Sequence, residues 1–170
     1  MHTDTDLSNP PGRRIGALAL IRNPAGNVLM VKPTYKEGWI LPGGGAHPDE
    51  HAYEACAREV REETGLPLTP GRLLVVDYIP RNPHTKAAEG YSFVYDGGTA
   101  PEGIAITLSR PGSGEEPELS AYEFVPVYDL HAYAMPYQER RVRAAVTALD
   151  SGVLTYLVEG RQVKDVAADE

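Results

Sequence analysis

The chain of 170 residues has one cysteine, no long apolar run and no surplus of positive charge. Each shortage excludes something. A lone Cys56 cannot form an internal disulfide, so a reducing compartment is the default expectation. No stretch approaches the roughly 20 apolar residues of a membrane span, and the start, MHTDTDLSNPPG, has no run of signal-peptide length. Arg13-Arg14 before IGALALI has the look of a twin-arginine signal, but seven apolar residues running into RNPAGN read better as a strand entering a turn. A soluble, cytoplasmic protein without membrane contact is expected. Sixteen Lys and Arg against 24 Asp and Glu give a net charge of −8, which argues against a nucleic-acid-binding surface. An acidic protein that handles phosphates must neutralise its own field locally, usually with divalent cations.

The length suits one domain with a real core, and no internal repeat or composition break divides it. Residues 1–12 read as a polar tail, 13–160 as the domain and 161–170 as a C-terminal tail. Apolar runs at 14–22 and 28–32 flank Asn23-Pro24-Ala25-Gly26-Asn27 and read as a hairpin. Residues 38–41 read as a short extended piece before the glycines 43–45. A helix is expected over 50–64, with Asp49 as N-cap and Gly65 as C-cap. Strands are expected at 72–79, 91–95, 104–108 and 122–128. A second helix runs from Pro136 to about Leu149 and stops at Gly152, with 153–158 as a last strand or further packing surface. Strands with two intercalated helices make a mixed α/β domain.

The first helix is unusual. Tyr53, Cys56, Ala57 and Val60 form an apolar stripe, with Cys56 expected as a buried core thiol. Glu59, Glu62 and Glu63 share an adjacent face above Ala52 and Ala55, near a helix end that is already partly negative. Charged helix faces are ordinarily solvated and laced with salt bridges, and Glu54, Arg58 and Glu62 are spaced for such pairs. Two features argue otherwise here. The three acids cluster instead of alternating in sign, and the run Leu41-Pro42-Gly43-Gly44-Gly45 brings bare backbone close to the helix start. A hard cation with oxygen ligands would offset the repulsion, and magnesium fits that description.

Gly44, Glu50, Arg58-Glu59-Val60, Glu62-Glu63 and Gly65-Leu66 carry the spacing of the Nudix box at every defined position, over 23 residues, and the chain resembles the Nudix hydrolase superfamily. That resemblance implies an α/β/α sandwich around a mixed β-sheet, with the box as loop–helix–loop. It implies hydrolysis of a phosphoanhydride bond in a nucleoside diphosphate linked to another moiety, by metal-activated water at phosphorus. By position, Glu59, Glu62 and Glu63 would ligate Mg²⁺, or Mn²⁺ in its place, with the Gly44 carbonyl as a further ligand. Glu59 is also a candidate base, and Arg58 would orient the acids with Glu50 behind it and Gly65 closing the helix. A non-catalytic nucleotide sensor is the competing reading, although such modules usually erode the box. The isomerase branch would need a cysteine outside the box helix.

Outside the box, Lys32, Trp39 and Arg81 are the candidate substrate contacts, with Lys36, Arg22 and Tyr35 as further ones. Lys32 is expected to point toward the box. Among Glu115, Glu116 and Glu118, Glu118 is preferred as an outer ligand or base because it abuts a strand. His47 and His51 have i, i+4 spacing but no third ligand. Lys32-Pro33 stands where relatives that cleanse oxidised nucleoside triphosphates often carry two basic residues. The expected partner is a small nucleotide-type substrate, with no nucleic acid. A homodimer is admissible because dimers are common among such proteins, though no interface stands out. Substrate identity, the base, the number of metal ions and the oligomeric state stay open at this stage.

Overall fold

The structure, a computed structural model, describes residues 12–84, 87–108 and 117–166. Its framework is one open mixed sheet. Strands β1 (Arg14–Arg22), β2 (Val28–Pro33), β3 (Gly43–Gly45), β4 (Leu73–Ile79), β5 (Gly90–Thr99), β6 (Leu119–Val125), β7 (Thr155–Val158) and β8 (Arg161–Gln162) assemble in the order β6-β2-β1-β5-β4-β7-β8, with β3 also on β1. The β1–β5 and β4–β7 pairs are parallel and the others antiparallel. Helix α1 (Ala52–Thr64) covers one face; α2 (Leu130–Tyr133) and α3 (Pro136–Ser151) cover the other.

Period-two alternation on β1 sorts side chains between these layers. Ala17, Ala19 and Ile21 pack with Ala55, Cys56 and Val60 of α1. Leu18 and Leu20 pack with Val142, Ala145 and Ala148 of α3. A central strand buried on both faces reads as a continuous apolar run, which is why IGALALI is one. Both long helices end on glycines in the left-handed conformation, Gly65 at φ 73° and Gly152 at φ 77°.

Several expectations need correction. Asp49 is no N-cap: it adopts φ 62° in a left-handed turn, and α1 starts after His51. The Glu50 side chain accepts the His47 N–H and is held by Arg58, so residues 47–50 close into a turn before the helix begins. Residues 104–108 form no strand; Thr107 donates its N–H to the Thr64 carbonyl and Ile106 packs on the α1 layer. The strand expected at 122–128 is displaced to 119–125, where β2 supplies its pairing partner and Pro126 ends it. Residues 161–166, read as tail, carry β8, which pairs with β7, and α4 (Val163–Val166). The expected N-terminal tail lies almost wholly outside the described residues.

The glycine run forms β3 because β1 offers it a free edge. The hairpin partners β1 and β2 pair in register only at Arg22↔Val28, then part, and Gly43, Gly44 and Gly45 occupy the edge opposite Leu18, Ala17 and Gly16. Gly43 has φ 132°, and a Cβ there would lie 2.1 Å from the Ala17 carbonyl oxygen. Gly43→Ala is therefore expected to lower stability by about 2 kcal/mol or more, read from denaturant melts. A loss below about 0.5 kcal/mol would show that β3 does not need this backbone.

Candidate active site

Strand β3 and the last turns of α1 lie against each other, with Glu59 and Glu63 at that contact and Glu62 joined to it through Arg58. The Gly43 N–H donates to Glu63 Oε2 at 2.7 Å. A Cβ on Gly44 would fall 2.5 Å from the carboxyl carbon of Glu59 and 2.6 and 2.7 Å from its two oxygens. The Glu59 carboxylate thus lies directly on the Gly44 backbone, and any side chain there would displace it.

Arg58 ties the acids together. Its Nε and Nη2 donate to the two oxygens of Glu50, each at 2.8 Å, in a bidentate fork. Nη2 also donates to the Gly45 carbonyl at 3.0 Å, and Nη1 donates to Glu59 Oε1 at 2.9 Å and Glu62 Oε2 at 3.1 Å. Arg58, followed by the His47 N–H, holds the Glu50 carboxyl down to about 2. Glu50 in turn raises Arg58 above the usual guanidinium range, so both stay charged at any working pH. Among the described residues no three His, Cys, Asp or Glu side chains converge closely enough to enclose an ion; Glu59 and Glu62 lean on Arg58 while Glu63 leans on Gly43.

Glu63 differs from its neighbours in being buried. Burial, opposed by the Gly43 N–H and assisted by the charges of Glu59 and Glu118, pushes its carboxyl up to about 7. Glu118 is therefore close enough to act electrostatically on the box, while Glu115 and Glu116 lie outside the described residues.

Beside this contact opens a cleft of about 1250 Å³, walled by Gly43–Gly45 and Glu50 on the box side. Five cations line it (Arg13, Arg14, Lys36, Arg81 and Arg141) against the acids Asp49, Glu50 and Glu159. Arg13 is paired with Glu89, and Arg141 with Asp77. Among the described residues Lys36 and Arg81 form no ion pair. The cleft is a local cationic surplus on an acidic protein.

Of the sequence-derived substrate contacts, Arg81, Lys36 and Tyr35 line this cleft. Lys32 and Trp39 do not. Lys32 sits opposite Ala121 at the β2–β6 edge, where strand alternation turns it away from the box. Trp39 packs edge-on against Tyr133 at 5.4 Å, as part of the α3-side core. Arg22 reaches Asp150, and His51 lies near Glu54 rather than forming a pair with His47. Cys56 is fully buried on the α1 stripe, which pushes its thiol up to about 12. Arg13, Arg14, Tyr137 and Arg141 were missed in the sequence. Arg141 did leave a signal: it shares the buried stripe of α3 with Gln138, Val142 and Ala145, an anomalous place for a charge.

The NUDIX domain family model matches residues 12–146. The chain belongs to the Nudix hydrolase family. This Nudix chain is similar to an RNA pyrophosphohydrolase of Rhizobium meliloti (strain 1021), with 28% identity over 141 residues, 73% of this chain and 82% of that one. Diphosphoinositol polyphosphate phosphohydrolase 2 of Rattus norvegicus is 41% identical over 63 residues, 36% of this chain and only 35% of its own length. Among solved structures, a MutT protein from Methanosarcina mazei Go1 superposes with a TM-score of 0.64 at 27% identity, covering 86% of this chain and 99% of that one. The α/β/α arrangement around a mixed sheet is thus that of the Nudix fold.

The raised Glu63 carboxyl makes metal-free stability pH-dependent. Its folded pKa, about 7, lies above the ordinary 4.5, so its contribution is complete below 4.5 and is lost as pH rises through 7. Glu63→Gln keeps an acceptor for the Gly43 N–H without the charge. In EDTA the variant is expected to exceed the parent by on the order of 3 kcal/mol at pH 8 and to match it near pH 4.5, read from denaturant melts. Equal stabilities at both pH values would refute the buried acid.

Proposed function

We propose that this enzyme, a Nudix pyrophosphohydrolase, hydrolyses a phosphoanhydride bond in a nucleotide-type polyphosphate substrate with a divalent cation, Mg²⁺ or Mn²⁺, held at Glu59, Glu62 and Glu63. The observation that carries the reading is the seating of Glu59 and Glu63 on the bare backbone of Gly44 and Gly43, with Glu62 joined to Glu59 through Arg58, beside a cleft that the same glycines wall. The donor set suits a hard cation, since the groups that would ligate it, three carboxylates and a backbone carbonyl, all offer oxygen. Glu63 fits it too. A cation bound there would displace the proton that burial lets this carboxyl keep to about pH 7, and would supply the charge that the buried carboxylate lacks. Glu62, the most exposed of the three acids that Arg58 contacts, has the freedom to turn toward it. The Gly44 carbonyl is the neighbouring backbone oxygen.

A cation bound there supplies an acidified water and neutralises phosphate oxygens. The remaining chemistry belongs to the chain. Glu59 Oε1 is held by Arg58, leaving Oε2 as the atom that takes the proton from the attacking water. The water oxygen bonds to phosphorus, the bridging P–O bond breaks, and its electron pair leaves with the departing phosphate. Arg58 fixes the Glu59 orientation, and Glu50 fixes Arg58. The cationic cleft receives the substrate's phosphates.

The relatives' names point to polyphosphorylated substrates, one of them RNA-linked, so 5′-triphosphorylated RNA joins nucleoside triphosphates, ADP-ribose, nucleotide sugars and dinucleoside polyphosphates as test compounds. Release of phosphate or pyrophosphate, or of a cleaved nucleotide, from at least one, abolished by EDTA and restored by Mg²⁺ or Mn²⁺, is the expected result. Glu62→Gln and Glu63→Gln should each lower kcat by roughly two orders of magnitude or more. Turnover that persists in EDTA, or variants near parental rate, would contradict the assigned roles.

A further inference from the structure

Behind the cleft a charged group is buried at some conformational cost. Asp77, at the middle of β4 and fully buried, accepts Arg141 Nε at 2.7 Å. Both Asp77 oxygens also accept the Gly160 N–H at 3.1 Å. That donor is delivered by a turn between β7 and β8 in which Glu159 has φ 49° and Gly160 φ 74°. A Cβ on Gly160 would lie 2.5 Å from the Tyr137 carbonyl oxygen, so only glycine fits there. Gln138 Oε1 accepts Arg141 Nη1 at 2.9 Å. Three elements therefore hold one guanidinium in a single orientation.

A buried ion pair fastening α3 to β4 would account for Nε and Asp77, and nothing more is needed for packing. It leaves Nη2 unexplained. Among the described residues Nη2 has no hydrogen-bond partner, and it is not among the atoms sealed from solvent without one. The residue also lines the cleft. Lys36, in the loop after β2, lines the same cleft and forms no ion pair among the described residues. Burial and the nearby Arg141 charge both lower its pKa, while Glu63 opposes them. Lys36 and Arg141 are thus two cations on the lining of one cleft. Each cation lies over a tyrosine, Lys36 at 5.4 Å from the Tyr35 ring and Arg141 at 5.6 Å from the Tyr137 ring. Two like charges lining one cleft repel each other, and an anion received between them would offset that repulsion.

We propose that Lys36 and Arg141 form an oxyanion subsite that receives a phosphate group of the substrate adjacent to the scissile anhydride. The inference rests on the pyrophosphohydrolase reading for the identity of the anion. Lys36 supplies a mobile point charge, and Arg141 presents pre-oriented donors that distinguish a phosphate from an uncharged group at that position.

Inorganic pyrophosphate, titrated calorimetrically in EDTA, probes the subsite without turnover. Parent protein, Lys36→Gln and Arg141→Lys are compared, with circular dichroism and melting curves establishing that each is folded. Lys36 lies in a loop outside the packed core, so its variant tests the subsite even where Arg141→Lys fails to fold. Pyrophosphate affinity is expected to fall at least tenfold in Lys36→Gln. In steady-state kinetics on a compound the parent hydrolyses, KM is expected to rise by a similar factor, with kcat within about threefold. Unchanged pyrophosphate affinity in Lys36→Gln, or in a folded Arg141→Lys, overturns the subsite. Pyrophosphate binding that depends on Lys36 in a protein that hydrolyses none of the test compounds would instead sink the hydrolase reading and leave the anion site standing.

Discussion

Five hydrogen bonds from one guanidinium organise this molecule's working end. Arg58 grips Glu50 with a two-pronged fork, steadies Glu59 and Glu62, and reaches across to the Gly45 carbonyl. Without that positive charge, four carboxylates and the negative end of a helix would face one another with nothing between them. The pairing with Glu50 also explains why the helix starts late. Residues 47–50 are drawn into a turn so that Glu50 can meet Arg58 two turns along the helix, and His51 becomes the first capping position.

The second constraint is the lack of side chains on β3. Gly43 and Gly44 let the strand lie so close to α1 that the Gly43 N–H reaches Glu63 and the Gly44 backbone touches Glu59. Backbone this bare would weaken an isolated strand, and β1 holds it in place. The sheet thereby brings Gly43–Gly45 to the wall of the cleft, which Arg13 and Arg14 at the start of β1, Arg81 beyond β4 and Arg141 on α3 also line. An overall charge of −8 conceals that gathering of cations.

The box was legible because one helix carries it: spacings of three, four and seven residues translate directly into a shared face. The capping glycines and the apolar β1 were legible for the same local reason. What failed depends on distant partners. GGG has no strand propensity and becomes one only because β1 leaves an edge open. Residues 104–108 have a strand's composition, yet their backbone is claimed by the end of α1. Lys32 and Trp39 were judged by proximity in sequence, whereas strand alternation and core packing turn them elsewhere. Arg141 lies 64 residues from Asp77, so a buried ion pair could be suspected from its stripe on α3 but its partner could not be named.

The central claim is that the crowded acids are reconciled by a cation in addition to Arg58. Anomalous diffraction at the manganese edge, from crystals grown with Mn²⁺ and a slowly hydrolysed nucleotide analogue, tests it most directly. A peak bonded to oxygens of Glu59, Glu62 or Glu63, with Arg58 retaining Glu50, is the expected result. A fully occupied analogue in the cleft with no anomalous density at those carboxylates would contradict it.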